Sequence, residues 1–201
     1  MRATLDKLIS WTGLLLAVML LVAGGLLTWA SSFIHNEVTS QLTAQQITMP
    51  TTQTGLSEIP ASDQAALKQY AGQQMTTGPQ ARAYADHYIA VHLNAAGGGK
   101  TYSEISGQYI QQCTTDPKAA ATKACTDLAS LRQTMFMGET LRGLLLYGYA
   151  FATMGTIAGY GAIAAWIGAA LMFLLVGIGF WHSRRAARDV TAGAQPVGAP
   201  A

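Results

Sequence analysis

Two long apolar runs with a polar stretch between them set the pattern of this 201-residue chain. The first run, Leu8 to Ala30, holds no ionisable side chain, and at about 1.5 Å per residue its helix exceeds a hydrocarbon core of roughly 30 Å. The second, Gly143 to Trp181, would be nearly 60 Å long as a helix at about 1.5 Å per residue, about twice what one crossing needs. Either it crosses twice or its first part lies outside the bilayer.

Charge at the ends of the runs chooses between these. Arg2 and Lys7 precede the first run, and Arg184, Arg185 and Arg188 follow the second. Basic flanks stay in the cytoplasm, so both termini are expected there and the number of crossings is even. The expected division is a cytoplasmic N-terminus (1–7), a first transmembrane helix (8–30), a helical extracytoplasmic domain (31–156), a second transmembrane helix (157–181) and a disordered cytoplasmic tail (182–201). Thr28-Trp29-Ala30 loosely resembles a signal-peptide cleavage site. The apolar run is longer than the roughly 7–15 residues such peptides use, which favours an uncleaved anchor.

The polar middle shows helical periodicity and no convincing alternation. Ile34, Val38 and Leu42 recur every four residues, so the first helix is expected to continue outward until Met49-Pro50 stops it. Thr51 to Pro60 reads as a loop, with Asp63 capping a short helix to about Gln73. Gly78-Pro79 opens a helix that Gly97-Gly98-Gly99 ends, Thr101 or Ser103 starts the next, and Pro117 opens the last. Leu128, Leu131, Met135, Leu141 and Leu145 form an apolar stripe on that last helix. The expected fold is an all-α membrane protein in which two transmembrane helices extend outward as an antiparallel stalk carrying a small helical domain.

Composition supports a membrane class: half of the residues are hydrophobic, only 11% are charged, and the net charge of +2 is too small and scattered for a nucleic-acid partner. Cys113 and Cys125 are the only cysteines. In an oxidising compartment they are expected to form a disulfide worth about 2–3 kcal/mol in the loop-entropy model.

Candidate chemistry is sparse. Gly99-Lys100-Thr101 lacks the earlier glycine of a phosphate-binding loop, whose place Asn94 takes, and it follows a helix where that loop follows a strand. His87 and His92 are five residues apart, about 140° around a helix, so they do not share a face as paired metal ligands do; Glu104 could join them only through an unforeseen fold. No metal site, cofactor or catalytic group is expected. The second span carries a face of small residues, Ala158, Gly161, Ala162, Ala165, Gly168 and Ala169, which lets another helix approach closely. Its partner is either the first span, through Gly13, Ala17 and Gly24, or another subunit. Tyr147, Tyr149 and Phe151 lie in a segment more apolar than a solvated helix should be and form a candidate interface.

The segments Gly78–Ile89, Gly99–Tyr102 and Gly138–Leu146 resemble a family of small actinobacterial two-span membrane proteins of uncharacterised function, with a helical outer domain. The resemblance covers most of residues 1–185 and implies that topology and a Gram-positive plasma membrane. Members are often labelled aromatic ring-opening dioxygenases, a chemistry that needs an iron site and a substrate pocket, and neither is legible here. The expected function is a non-enzymatic accessory or scaffold subunit of a larger membrane assembly, partnered by the bilayer and by another membrane protein or further copies of itself. The alternative is a membrane-anchored extracytoplasmic ligand-binding or sensing module.

Overall fold

The structure, a computed structural model, describes residues 2–193. Helices make up nearly all of the regular structure, with no strand among the described residues beyond one isolated bridge, Thr48 to Gln74. Two helices are long and apolar enough to cross a membrane: α1 (Arg2–Ala44) and α7 (Lys123–Gly193). The chain divides into two units, one built from the residues up to 33 together with those from 155 onward, the other from Ile34–Met154.

In the first unit the two apolar segments pack on each other through small residues. Leu20 sits against Gly168, Leu27 against Gly161 and Val176 against Gly13, where an added Cβ would lie only 2.9 Å from the valine. At Gly24 an added Cβ would meet the Trp166 ring at 3.2 Å. The order of these pairs runs upward along α1 as it runs downward along α7. Hydrophobicity does not discriminate between lipid and protein in a bilayer, so close van der Waals approach of this kind is the main source of helix association there. Thr12 donates to the Leu8 carbonyl (3.0 Å) and Thr28 to the Gly24 carbonyl (2.7 Å), and the Thr28 hydroxyl also accepts from Trp166 Nε1–H across the pair (3.1 Å). Ser31 likewise crosses to the Gly155 carbonyl (2.8 Å).

Aromatic rings mark the two ends of this pair. Trp11 meets Phe180 edge-on at 5.9 Å and Arg185 lies over Trp181, while Trp29 stacks on Phe33. Trp11 and Trp29 are about 27 Å apart along a helix, and Tyr160 and Trp181 about 31 Å, close to the thickness that interfacial aromatic belts bracket.

The second unit has its own core. Leu42 of α1, Met49, Leu56, Leu67 of α2 (Ala61–Lys68), Met75, Leu93 of α4 (Ala90–Ala96), Ile105 of α5 (Tyr102–Cys113), and Met135 and Leu145 of α7 form one buried cluster. Several are completely buried, a stabilisation of about 1.5–3 kcal/mol each relative to exposure. Between α2 and α4, α3 (Gly78–Tyr84) continues through a π-helical turn, Ala85–Ile89. The disulfide Cys113–Cys125 is formed, with Cα atoms 5.6 Å apart, and ties the end of α5 to the start of α7.

Several boundaries differ from the sequence expectation. α1 stops at Ala44, not at Met49-Pro50, because Gln46 adopts a left-handed conformation (φ 54°) and the chain then runs extended. Met75 N–H donates to the Ile47 carbonyl and Met49 N–H to the Gln73 carbonyl, both at 2.8 Å. The same pairing ends α2 at Lys68 and not near Gln73. Asp63 does not cap that helix; Pro60 precedes its first turn and Asp63 lies within it. Leu56–Glu58 forms a 3-10 turn inside the expected loop. Pro117 opens only the four-residue α6 (Pro117–Ala120), which Asp116 caps, and α7 starts afresh at Lys123. The tail expected to be disordered from 182 is helical to Gly193; its remainder, 194–201, lies outside the described residues.

Two glycines of the second unit separate packing from propensity. At Gly78 an added Cβ would collide with the Ala152 Cβ and come within 3.2 Å of the Tyr149 Cα, which is backbone and cannot yield, whereas at Gly107, inside α5, nothing lies within 4 Å. Gly78→Ala is therefore expected to destabilise the protein by about 1–3 kcal/mol and Gly107→Ala to stabilise it by about 0.5–1 kcal/mol. Thermal unfolding followed by circular dichroism in detergent distinguishes the two.

Candidate functional site

Two surfaces of the second unit hold side chains whose placement packing alone does not explain: a polar network on the π-helical turn, and the exposed face of α7.

The network starts from a legible signal. Thr77 and Gln80 form a capping box, in which the Gln80 carboxamide oxygen accepts from the Thr76 and Thr77 N–H groups (2.8 and 3.0 Å) while its amide donates to Gln73 Oε1 (3.0 Å). Gln80 is thereby buried yet satisfied. This fixed start aims α3 so that Arg82 and Asp86, four residues apart, point toward α7. Arg82 donates to the Tyr149 hydroxyl (2.9 Å) and lies over its ring. Asp86 takes Arg142 at 3.2 Å and Arg82 at 3.6 Å, and Glu139 faces Arg142 at 3.6 Å. Of the candidate interface residues, Tyr149 is therefore engaged inside the unit, while Tyr147 and Phe151 are exposed.

His87 and His92, expected on different faces of their helix, have separate partners. The His87 Nδ1–H donates to Asp63 Oδ1 at 2.7 Å, linking the π turn to α2, while His92 Nδ1 meets the Tyr88 carbonyl at 2.8 Å. Glu104 caps α5 with Thr101, accepting from its N–H at 2.7 Å. Among the described residues no three His, Cys, Asp or Glu side chains gather as a metal site would need. The rings of Tyr84 and Tyr88 stack at 4.7 Å, and the His92 ring meets Tyr88 tilted, at 4.3 Å. Burial, and then the neighbouring Tyr88, push the Tyr84 hydroxyl above the usual phenol range.

The exposed face of α7 is the other surface. Met137, Leu144, Tyr147, Phe151 and Met154 are each more than half exposed. Leu42 lies against Gly148, so the last turns of α1 run beside this stretch. The exposed residues of α1 there are polar, Asn36, Glu37, Ser40 and Gln41, with Gln41 donating to Glu37 at 2.8 Å. One side of this level is built for water, the other is not.

The small-residue face is not part of that surface. Ala162, Ala165 and Ala169 are buried and Ala158, Gly161 and Gly168 partly so. Within the chain this face packs on the first apolar segment, where Ala17 is completely buried.

The His87 hydrogen bond, and then that of Ser62, hold the Asp63 carboxyl below its ordinary 3.8. A depressed folded value means that its stabilisation is complete above 3.8 and is lost as pH falls through the lower folded value. Asp63→Asn is accordingly expected to flatten the decline of melting temperature between pH 4 and pH 2; an unchanged slope would show that the Asp63–His87 pair does not hold α2 to the π turn.

No protein-family model matches the chain, and no curated protein or solved structure matches it either.

Proposed function

We propose that this protein is a non-catalytic accessory or scaffold subunit of a plasma-membrane assembly. Its two apolar segments anchor it, both termini lie in the cytoplasm, and the disulfide-closed helical unit stands outside on an antiparallel stalk formed by the outer parts of α1 and α7. The basic residues at 2, 7, 184 and 185 support that orientation, and the disulfide supports an oxidising compartment for the helical unit.

The observation that carries the reading is the exposed apolar face of α7. Contiguous apolar surface rimmed by polar residues marks protein contact sites on proteins facing water. Bilayer lipid would surround α1 and α7 alike, yet α1 exposes Glu37 and Gln41 where α7 exposes Tyr147 and Phe151. Lipid accounts for one side only. A protein partner accounts for both, because it covers one face and leaves the other to water.

Extracted in mild detergent, the wild-type chain is expected to elute well above the size of a single 21.2 kDa chain in its micelle. Phe151→Glu should release the lone chain with little change in melting temperature, since Phe151 is exposed and exposed substitutions move stability by within about 0.5 kcal/mol. Recovery of the wild type as a lone monomer would refute the proposal.

A further inference from the structure

The exposed face of α7 repeats with a spacing that specifies more than a generic contact. Met137, Thr140, Leu144, Tyr147, Phe151 and Met154 follow one another at intervals of three, four, three, four and three. That is the alternation of the two core positions in a left-handed coiled coil. All six are exposed, so the seam is present and empty along five turns of helix.

From this repeat we infer that the outer half of α7 pairs with α7 of a second copy of the same chain. The inference rests on the reading of this face as a protein contact. Three observations select a second copy over an unrelated partner.

The first is direction. Two copies inserted in one membrane are related by an axis along the membrane normal, which sets identical helices parallel and makes the contact isologous. A three-four alternation serves such a parallel pair along its whole length.

The second is charge. In an isologous contact each residue meets its own counterpart or that of a neighbour, so an uncompensated charge on the face would meet its like. From Met137 to Met154 the only ionisable charges are Glu139 and Arg142. They face each other, and Arg142 is also held by Asp86. The seam itself is free of charge. A partner of another sequence would need no such neutrality at every position.

The third is fit. Gly143 and Ala150 flank the seam on the side away from Leu42, and around Gly143 there is open space, so a second helix can come close there. Half-exposed side chains of this size leave on the order of 100 Å² each. Over two copies that amounts to roughly 1,000 Å², the area at which an interface becomes specific.

The test places the photoreactive residue p-benzoylphenylalanine at Tyr147, and in a second variant at Phe151, of the full-length chain in its native membranes. Irradiation is expected to give a product of twice 21.2 kDa that contains this chain alone by mass spectrometry. Its yield should be at least tenfold above that from the same residue at Gln41, on the polar side of α1. Adding Leu144→Glu to the Tyr147 variant should abolish it. A product with a different protein from both positions would overturn the self-pairing while leaving the accessory-subunit reading in place. Lipid adducts, or no adduct from either position, would overturn both.

Discussion

Hydrocarbon solvates a helix equally on all sides, whereas water demands that each exposed apolar face find a cover. α7 is apolar over a greater length than a bilayer is thick, and its character changes along that length. From Gly155 onward its inner face is small and takes the first apolar segment, while its outer face, Ile157, Ile163, Ile167, Leu171, Leu174 and Ile178, is bulky and suited to lipid. From Met137 to Met154 one side of the helix packs into the helical unit, and the residues left exposed, Met137, Leu144, Tyr147, Phe151 and Met154, are again bulky and apolar, although at about 100° per residue they lie on the other side of the helix from Ile163 and Ile167. The functional reading depends on that mismatch between apolar length and membrane thickness.

The helical unit is small, and its stability draws on several modest devices. The segment Gln45–Gly78 has two short helices, and it is held by the backbone pairs at Met49 and Met75 and by the burial of Leu56, Ile59 and Leu67. Capping boxes at Thr77 and Thr101 start α3 and α5 in fixed directions. The disulfide removes freedom from the unfolded chain across the connection between α5 and α7. The Arg82–Asp86–Arg142 cluster then joins α3 to α7 through charges that are each about a third exposed or more, apart from the slightly more buried Asp86. Such pairs contribute little energy individually; what they supply is orientation, turning Arg142 and Tyr149 inward so that Leu144, Tyr147 and Phe151 face out.

Much of this was legible in the sequence, because its strongest signals are long and uniform. The two apolar runs, the continuation of α1 past Ala30 through Ile34, Val38 and Leu42, and the breaks at Gly97–Gly99 and Pro79 follow from periodicity and backbone chemistry alone. The cysteine pair was legible from its isolation. What escaped was long-range. The end of α1 at Ala44 is set by Gln73 and Met75, residues about thirty positions away that recruit Ile47 and Met49 into a bridge. Asp63 has the composition of a helix cap but is claimed by His87, 24 residues on. In sequence the interface candidates form one cluster, and only geometry divides Tyr149, held by Arg82, from Tyr147 and Phe151. The spacing from Met137 to Met154 was visible as letters, but a heptad acquires meaning once the opposite face is known to be occupied.

The central claim is that the exposed apolar surface of α7 meets protein between Met137 and Met154 and lipid between Ile157 and Ile178. Nitroxide labels at Ile167, Phe151 and, on the polar side, Gln41, read for their access to oxygen and to a water-soluble nickel chelate in bilayers, test it directly. The account predicts high oxygen and low chelate access at Ile167, high chelate access at Gln41, and low access to both at Phe151. Oxygen access at Phe151 matching that at Ile167, or chelate access matching that at Gln41, would contradict it.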